Sequence, residues 1–296
     1  MVAFAIRIDE KECTNCGLCV KDCSSGCLQP GNQRPIPARP EWCTLCSHCV
    51  AICPQDAVEH GGLGGGHLRP IKRDKLDPES YREVVISRRS VRWYQPEPVS
   101  WQEVQELLEV ARYSPTASNT MDVGYSVVLD RSLIRATGLG IFSLGARIKR
   151  FLDTLPGRLL RRLFRASATM QILERYGARI QHFQGVVDQG RDPICYDAPV
   201  LILIHGPQNG RFVRENCAIA GANLVNYAHA KGYGACYLGL VVLALDWDKK
   251  LRIRLGVPPG RRACLALVLG RPGHRYRNPV LRPPAEVNWV GPKESG

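Results

Sequence analysis

The strongest constraint in this sequence is a repeat of cysteines near its start. Nine of the 13 cysteines fall within the first 53 of 296 residues, and eight of these form two runs spaced C-x2-C-x2-C-x3-C. The runs are Cys13, Cys16, Cys19 and Cys23, then Cys43, Cys46, Cys49 and Cys53. Because Met1–Glu12 is rich in charge and has no apolar leader segment, we expect a cytoplasmic chain, in which metal binding is favoured over disulfides.

The spacing of each run indicates which metal site it builds. Three thiolates two residues apart can hold three irons of one cubane, and in two-cluster proteins the last cysteine of each run ligates the other cluster. Zinc sites, the alternative, usually show pairs of ligands. Residues 5 to 60 resemble a bacterial two-cluster 4Fe-4S ferredoxin. The resemblance implies one cluster on Cys13, Cys16, Cys19 and Cys53, and another on Cys43, Cys46, Cys49 and Cys23.

The first run departs from the ferredoxin pattern. Cys53 is followed by Pro54, whereas Cys23 is followed by Ser24 and a ninth cysteine stands at Cys27. Cys27 could replace Cys23 as a ligand. We expect Cys27 to be a bystander, because Cys23 keeps the spacing. Four isolated cysteines further along are expected to be inert buried thiols: Cys195, Cys217, Cys236 and Cys264.

Glycines and charge indicate where the first domain ends. Five of the six residues 61–66 are glycine, a composition typical of a linker. Residues 1–60 carry a net charge of −2, whereas the whole chain carries +13, so the basic charge belongs to the second domain. We therefore predict a two-cluster ferredoxin domain over 1–62, a linker over 63–76 and a second domain over 77–296.

The second domain alternates helices and buried strands without a dinucleotide or P-loop motif. Helices are predicted from Pro78 to about Arg88, from Ser100 onward and from Arg211 to Lys231, and strands near residues 125–129, 200–205 and 264–269. No GxGxxG or P-loop sequence is present. The segment Arg88–Arg92 contains three arginines and a serine, a group suited either to a phosphate or to the end of a helix.

Five motifs together resemble FMN-dependent nitroreductases, most closely those with an N-terminal ferredoxin domain. They are residues 88–92, 114–119, 197–202, 223–224 and 232–239. The resemblance implies an α+β fold around an antiparallel sheet, an intertwined homodimer and bound FMN. It implies that Arg88, Arg89, Ser90 and Arg92 hold the phosphate and ribityl chain. It further places Pro115, Thr116, Ser118, Asn119, Leu238 and Gly239 against the flavin, with Arg282, or second Arg277, completing the phosphate site.

Residues 131–190 are predicted to be a basic helical insertion. They hold 11 basic and 3 acidic residues, and apolar residues recur at helical spacing on both sides of Pro156–Gly157. We expect two basic amphipathic helices broken there. A lid over the flavin is the first interpretation, docking of an acidic redox protein or anionic substrate the second, and contact with a membrane surface the third.

The sequence thus predicts an iron-sulfur flavoprotein oxidoreductase. Electrons would pass from a low-potential donor through two 4Fe-4S clusters to FMN, and on to a nitro compound, a quinone or an activated C=C bond. The alternative is an electron-transfer subunit whose acceptor is a partner protein's cofactor. No recognition pattern supports nucleic-acid binding, and no apolar run is long enough to span a membrane. No catalytic acid or base is assigned, although Tyr237, His205 and His229 are visible candidates.

Overall fold

The computed structural model describes residues 5–63 and 70–291 of the chain. These residues form two compact units. The N-terminal unit consists of the chain up to Asp77 together with a later loop, Pro115–Asp122, and the C-terminal unit consists of Pro78–Ser114 and the chain from Val123 onward. The linker predicted for residues 63–76 lies partly outside the described residues, because these omit 64–69.

The N-terminal unit repeats its secondary structure every 30 residues. Its first half contains strand β1 (Ile6–Ile8), helix α1 (Leu18–Lys21) and strand β2 (Leu28–Gln29). Its second half contains β3 (Ile36–Pro37), α2 (His48–Ala51) and β4 (Val58–His60). Strand β1 pairs antiparallel with β4, and β2 with β3, so each small sheet takes one strand from each half.

Left-handed backbone conformations repeat with the same period. Positive φ angles occur in pairs 30 residues apart: Asn15 with Leu45, Gly17 with Ser47, and Gly26 with Asp56. A non-glycine residue in this conformation is disfavoured by about 1–2 kcal/mol. The tight turns between the cysteines of the second run therefore place Leu45 and Ser47 in a strained backbone conformation.

The C-terminal unit is built on a four-stranded antiparallel sheet, as predicted for its fold class. The strands are β5 (Gly124–Val128), β6 (Val200–Pro207), β7 (Gly234–Tyr237) and β8 (Arg261–Gly270), in the spatial order β5-β6-β8-β7. The central strand β6 is buried from Val200 to Gly206. Hydrophobic clusters cover both faces of the sheet, so β6 reads as a continuous apolar run.

Helices pack on both faces of this sheet. They include α4 (Trp101–Ala111), α9 (Val213–Ala230), α10 (Gly239–Trp247) and α11 (Lys249–Arg254), and α3 (Pro78–Ser87) packs against α9. Helix α4 begins with the predicted capping box, in which Ser100 and Glu103 bond each other's backbone N–H groups. Glu103 also accepts hydrogen bonds from Tyr233 and from Arg271, and so ties α4 to the sheet.

The insertion forms four helices, whereas the sequence predicted two. They are α5 (Arg131–Leu152), α6 (Leu155–Leu163), α7 (Ala168–Gly177) and α8 (Ile180–Asp188). The predicted break at Pro156–Gly157 is wrong, because both residues lie in the first turn of α6. The side chain of Thr154 caps that turn, and a proline is well tolerated there because a first-turn N–H has no partner within the helix. Among the described residues, no helix is both long and apolar enough to cross a membrane.

Candidate functional site

The cysteines of the N-terminal unit line two separate spaces. The first space is lined by Cys13, Cys16 and Cys19 of the first run and by Cys53 of the second. The second space is lined by Cys43, Cys46 and Cys49 of the second run and by Cys23 of the first, with Cys27 and His60 beside them. Each space therefore combines three cysteines of one run with the last cysteine of the other.

The chemistry of these spaces suits iron-sulfur clusters. Four sulfur donors face each space, and backbone N–H groups point at two of them, from Leu45 to Cys43 Sγ at 3.4 Å and from Ala57 to Cys53 Sγ at 3.2 Å. Four cysteine thiolates are the usual ligands of a 4Fe-4S cluster. Within residues 5–63 and 70–291, no three His, Cys, Asp or Glu side chains are grouped so as to hold a single metal ion.

Cys23 and Cys27 have different environments in the second space. Burial by itself raises the pKa of the Cys23 thiol, but hydrogen bonds from the Leu28 backbone and the Ser25 side chain outweigh it, and the pKa is lowered. Burial raises the pKa of Cys27 to about 12. Cys23 also keeps the spacing of the first run, so it stays the predicted ligand of the two.

His60 gives the second space a hydrogen-bond donor. Its Nε2 lies 3.2 Å from Cys43 Sγ, and its Nδ1 accepts a hydrogen bond from the backbone N–H of Gly62 at 3.1 Å. A neutral imidazole that accepts at Nδ1 carries its proton on Nε2. His60 therefore donates to the sulfur of Cys43. The sequence analysis missed His60, because it stands outside the cysteine spacing.

The predicted phosphate-binding segment runs along the edge of the sheet. Ser90 forms a parallel bridge with Ala235 of β7, and the N–H of Val91 donates to the carbonyl of Ala235 at 3.0 Å. A Cβ at Gly234 would lie 2.7 Å from Val91, so a glycine is needed for this close approach. Leu238 and Gly239 follow β7 directly. The structure thus brings Arg88–Arg92 and Leu238–Gly239 to one strand.

Cationic and aromatic side chains surround this segment. Arg92 lies over the ring of Tyr196 at 5.9 Å and Arg89 over that of Tyr276 at 5.0 Å. Beneath them, burial raises the pKa of the Cys236 thiol, and the nearby Arg92 opposes that shift. Arg282, like its alternative Arg277, lies exposed in the irregular segment after β8.

Four other residues that the motif resemblance assigns to the flavin lie in the loop that belongs to the N-terminal unit: Pro115, Thr116, Ser118 and Asn119. Ser118, Asn119 and Met121 have positive φ angles, and Thr116 Oγ1 accepts a hydrogen bond from the N–H of Met121 at 2.9 Å. The side-chain amide of Asn119 donates to the carbonyl of Thr44 at 2.8 Å. Thr44 lies between Cys43 and Cys46, so this loop contacts the chain around the second cysteine space.

A cavity of about 670 Å³ lies beside Leu238 and Gly239 in the C-terminal unit. Four arginines line it: Arg175, Arg179, Arg214 and Arg262. The Nη2 atom of Arg262 lies 3.6 Å from Asp246, whereas its buried Nε has no hydrogen-bond partner among the described residues. This donor set suits an anionic or electron-rich group. The sequence analysis missed this group of arginines, because they come from α7, the turn after it, α9 and β8, which are far apart in the chain.

Cys264 also lines this cavity, which corrects the prediction that all four later cysteines are inert and buried. Cys195, Cys217 and Cys236 are buried, but Cys264 is only half-buried. A hydrogen bond from Cys217 lowers the pKa of Cys264 to about 7, and the charges of Arg262 and Arg214 act in the same direction. Such a thiol is partly ionised at neutral pH.

A second, apolar cavity of about 140 Å³ lies under the insertion. Its walls come from α5, α7, α8 and α10, and they include Gly145 and Phe142. It shares four lining residues with the larger cavity: Ile172, Tyr176, Leu240 and Leu243. The apolar cavity therefore adjoins the arginine-lined cavity.

The two histidine candidates for acid–base chemistry lie elsewhere and have other partners. His205 is buried and accepts a hydrogen bond from Arg261 at its Nδ1, and burial lowers its pKa to about 4. His229 Nε2 lies 2.8 Å from the hydroxyl of Ser87. Tyr237 does line the larger cavity.

The fold and the cysteine spaces together define an α+β oxidoreductase that carries an iron-sulfur module. A model described as "Nitroreductase family" matches residues 85–271, more than half of the chain, so the chain belongs to the nitroreductase family. A second model, a 4Fe-4S dicluster domain, matches residues 12–58. An uncharacterized ferredoxin of Methanocaldococcus jannaschii is 33% identical over 58 residues, which are 19% of this chain and 94% of that ferredoxin.

Solved structures with the same fold include two nitroreductases with bound FMN. The one from Bacteroides fragilis has a TM-score of 0.52 and 18% identity, and the match covers 73% of this chain and 100% of that protein. The one from Desulfitobacterium hafniense has a TM-score of 0.52 and 19% identity, with the same coverage. At these identities the likeness shows the fold of the C-terminal unit.

Proposed function

We propose that this protein is an iron-sulfur flavoprotein that passes electrons from a low-potential donor, through two 4Fe-4S clusters, to FMN and on to an electron-poor acceptor. The observation that carries the proposal is that two four-cysteine spaces stand in one chain with a nitroreductase-family domain. When bound, FMN supplies the exchange between one-electron input and two-electron output.

The edge of β7 is the proposed binding site for FMN. Arg88, Arg89 and Arg92 supply guanidinium groups and Ser90 a hydroxyl, which is the donor set that a phosphate dianion requires. Leu238 and Gly239, at the end of β7, would lie against the ring system. The loop residues Pro115, Thr116, Ser118 and Asn119, and Arg282, are assigned to the same site by their motif positions alone.

The acceptor is proposed to bind in the arginine-lined cavity. Arg175, Arg179, Arg214 and Arg262 would orient the negative end of a nitro, quinone or carboxylate-bearing molecule. The walls that α5, α7 and α10 supply to the neighbouring apolar cavity would hold its hydrocarbon part and exclude water. This arrangement supports the interpretation of the insertion as a lid.

The test is an anaerobic reductive titration of the isolated protein, followed by absorbance and EPR. Iron, acid-labile sulfide and released flavin are measured on the same sample. We expect about eight irons and one FMN per chain, in line with two clusters of four irons, and coupled bleaching of clusters and flavin. Zinc in place of iron, or no bound flavin, would contradict the proposal.

A second candidate function is that of an electron-transfer subunit whose acceptor belongs to a partner protein. It is favoured by helix α6, where Leu155 is 82% exposed, Leu159 61% and Leu163 70%. Arg158, Arg161 and Arg162 lie on the same helix, so its surface suits an acidic partner with an apolar patch. Stable co-purification with such a partner, together with slow turnover of small acceptors, would support this candidate.

We also propose that the chain forms a homodimer, as the motif resemblance implies. Size-exclusion chromatography with light scattering tests this: a mass of two chains supports the dimer, and a mass of one chain contradicts it.

A further inference from the structure

The two cysteine spaces differ in one strong hydrogen-bond donor. The 30-residue repeat relates Cys43 to Cys13 and His60 to Pro30. His60 Nε2–H donates to Cys43 Sγ over 3.2 Å, whereas proline has no N–H group to offer at the corresponding place. The thiol of Cys27, a weak S–H donor, also lines the second space, and its counterpart in the repeat is Ala57.

The second space is also the one that the loop Pro115–Asp122 contacts. Thr44 lines this space, and its carbonyl accepts the hydrogen bond from the Asn119 side chain at 2.8 Å. The motif resemblance assigns Asn119 to an edge of the flavin.

A hydrogen bond to a ligand sulfur changes the reduction potential of an iron-sulfur cluster. The reduced cluster is more negative than the oxidised one, so a donor aimed at a sulfur stabilises the reduced form more strongly and raises the potential. The first space has a backbone donor at Cys53 and the second has one at Cys43. In the second space, Cys23 also receives hydrogen bonds from the Leu28 backbone and the Ser25 side chain. The imidazole of His60 is a further donor.

We propose that the cluster held in the second space has the higher reduction potential of the two, and that His60 raises it. The first electron that enters the N-terminal unit would then reside mainly on the cluster in the second space, which Thr44 lines. In this step the cluster gains one electron from a one-electron donor, and no proton moves and no bond breaks. The inference rests on the proposed function, because it requires both clusters to be present.

The test compares the whole protein with His60→Phe and His60→Gln in EPR-monitored titrations with dithionite. Phenylalanine removes the N–H group, so we expect the equilibrium constant for reduction of the higher-potential cluster to fall about tenfold. This lowers its reduction potential by about 59 mV for one electron. The first cluster is the control within the same molecule, and its potential should not move. The two potentials therefore converge in His60→Phe, and His60→Gln, which keeps an N–H donor, lies closer to the wild type.

Two outcomes would overturn the inference. A wider gap between the potentials in His60→Phe would show that His60 serves the lower-potential cluster, and unchanged potentials would show that it tunes neither. If the variant loses iron, the test uses wild-type protein labelled with ¹⁵N-histidine. Electron–nuclear double resonance then measures which cluster's EPR signal couples to a histidine nitrogen. A nitrogen coupling on the higher-potential EPR signal supports the inference, and a coupling on the lower-potential signal, or none, rejects it.

Measuring iron and flavin on each sample separates this inference from the proposed function. Intact clusters without FMN would contradict the flavoprotein proposal and leave the His60 test valid. Eight irons and one FMN with unmoved potentials would contradict the His60 inference alone.

Discussion

At the scale of single residues, Cys23 and Cys27 are the two cysteines whose roles as ligand and bystander can be tested. Cys23 and Cys27 both line the second cysteine space, but hydrogen bonds lower the pKa of Cys23, whereas burial raises that of Cys27. Ala57 is the residue of the second half that corresponds to Cys27 in the first, and both side chains are almost completely buried. The position therefore tolerates a small apolar residue.

We predict that Cys27→Ala keeps both clusters and that Cys23→Ala loses one. The alanine at position 27 restores the residue of the other half, whereas alanine at position 23 removes a thiolate. Iron and sulfide determination checks this, with about eight irons per chain expected for Cys27→Ala and at most about four for Cys23→Ala. Loss of iron in Cys27→Ala with retention in Cys23→Ala would show that Cys27 is the ligand.

Arg92 offers a second test at this scale. Arg92→Gln removes a charged donor from the proposed phosphate site, and hydrogen bonds to charged groups contribute about 1.5–3 kcal/mol. We expect FMN to bind about tenfold to a hundredfold more weakly, measured by the fluorescence of flavin released on dilution. Arg254→Gln, on the exposed end of α11, is the matched control and should bind FMN as the wild type does. Equal binding by both variants would remove Arg92 from the site.

Asp192 gives the fold a dependence on pH. It is 1% exposed, burial raises its pKa to about 6, and its Oδ1 accepts the N–H groups of Ile194 and Cys195. The pKa of Asp192 is about 6 in the folded chain and about 4 in the unfolded chain. Between these two pH values the folded state therefore binds more protons than the unfolded state. Stability therefore falls as the pH rises from about 4 to about 6, by about 2–3 kcal/mol.

The variant Asp192→Asn isolates this contribution. Asparagine keeps the accepting oxygen and does not ionise. Between pH 4 and pH 7, urea unfolding should show the variant gaining about 2–3 kcal/mol relative to the wild type. Parallel stability curves for the two proteins would show that Asp192 keeps an ordinary pKa.

At the scale of elements, helix α5 separates solvent from the apolar cavity. Gly145 lines the cavity, and Gly140 is exposed on the same helix; a Cβ at either position would meet no atom within 4 Å. Phenylalanine is a better helix former than glycine, so both positions should accept it. The two sites therefore form a matched pair that differs in access to the cavity.

We predict that Gly145→Phe impairs acceptors with a long apolar part and that Gly140→Phe does not. Each methylene buried in an apolar site contributes about 0.8 kcal/mol, or about a fourfold change in affinity. Nitrobenzene and its para-butyl derivative serve as probes of the loaded enzyme. The KM of the para-butyl derivative divided by the KM of nitrobenzene should rise by at least about tenfold in Gly145→Phe. In Gly140→Phe this ratio should stay at the wild-type value. Equal ratios in all three proteins would exclude the cavity from acceptor binding.

Elements differ in how far the sequence could predict them. The capping box at Ser100 and the apolar run at Val200 act locally, so α4 and β6 lie near their predicted positions. The insertion is helical as predicted, but its first break lies at Asp153–Thr154 and not at Pro156–Gly157. Pro156 is compatible with both a helix break and a first turn, and the cap at Thr154 decides between them. The cavities could not be predicted, since they depend on how side chains from separate helices meet.

At the scale of the whole molecule, each unit contributes a different part of the chemistry. The resemblance to two-cluster ferredoxins, which rests on the cysteine spacing, implied which four cysteines group together, and the same four line each space. His60 and the four cavity arginines escaped prediction, because their roles depend on contacts between residues that are far apart in the chain.

A ferredoxin-type unit offers a route for electrons other than direct hydride transfer from a nicotinamide. We therefore predict weak or no direct oxidation of NAD(P)H by the isolated protein. Stopped-flow absorbance under anaerobic conditions checks this, with dithionite as the positive control for bleaching of clusters and flavin. Rapid bleaching of the flavin by NADPH without a partner protein would contradict the prediction.

The exchange of Cys23 and Cys53 between the two halves has a consequence for how the protein matures. Neither half contains four ligands for one site, so a cluster inserted on either side cross-links both halves and holds the other quartet in place for its own iron. With the two clusters that we propose, loading would be cooperative: under iron limitation, cells would contain a mixture of empty and complete molecules, with few that are half-filled. Damage to one cluster would likewise expose its neighbour to loss.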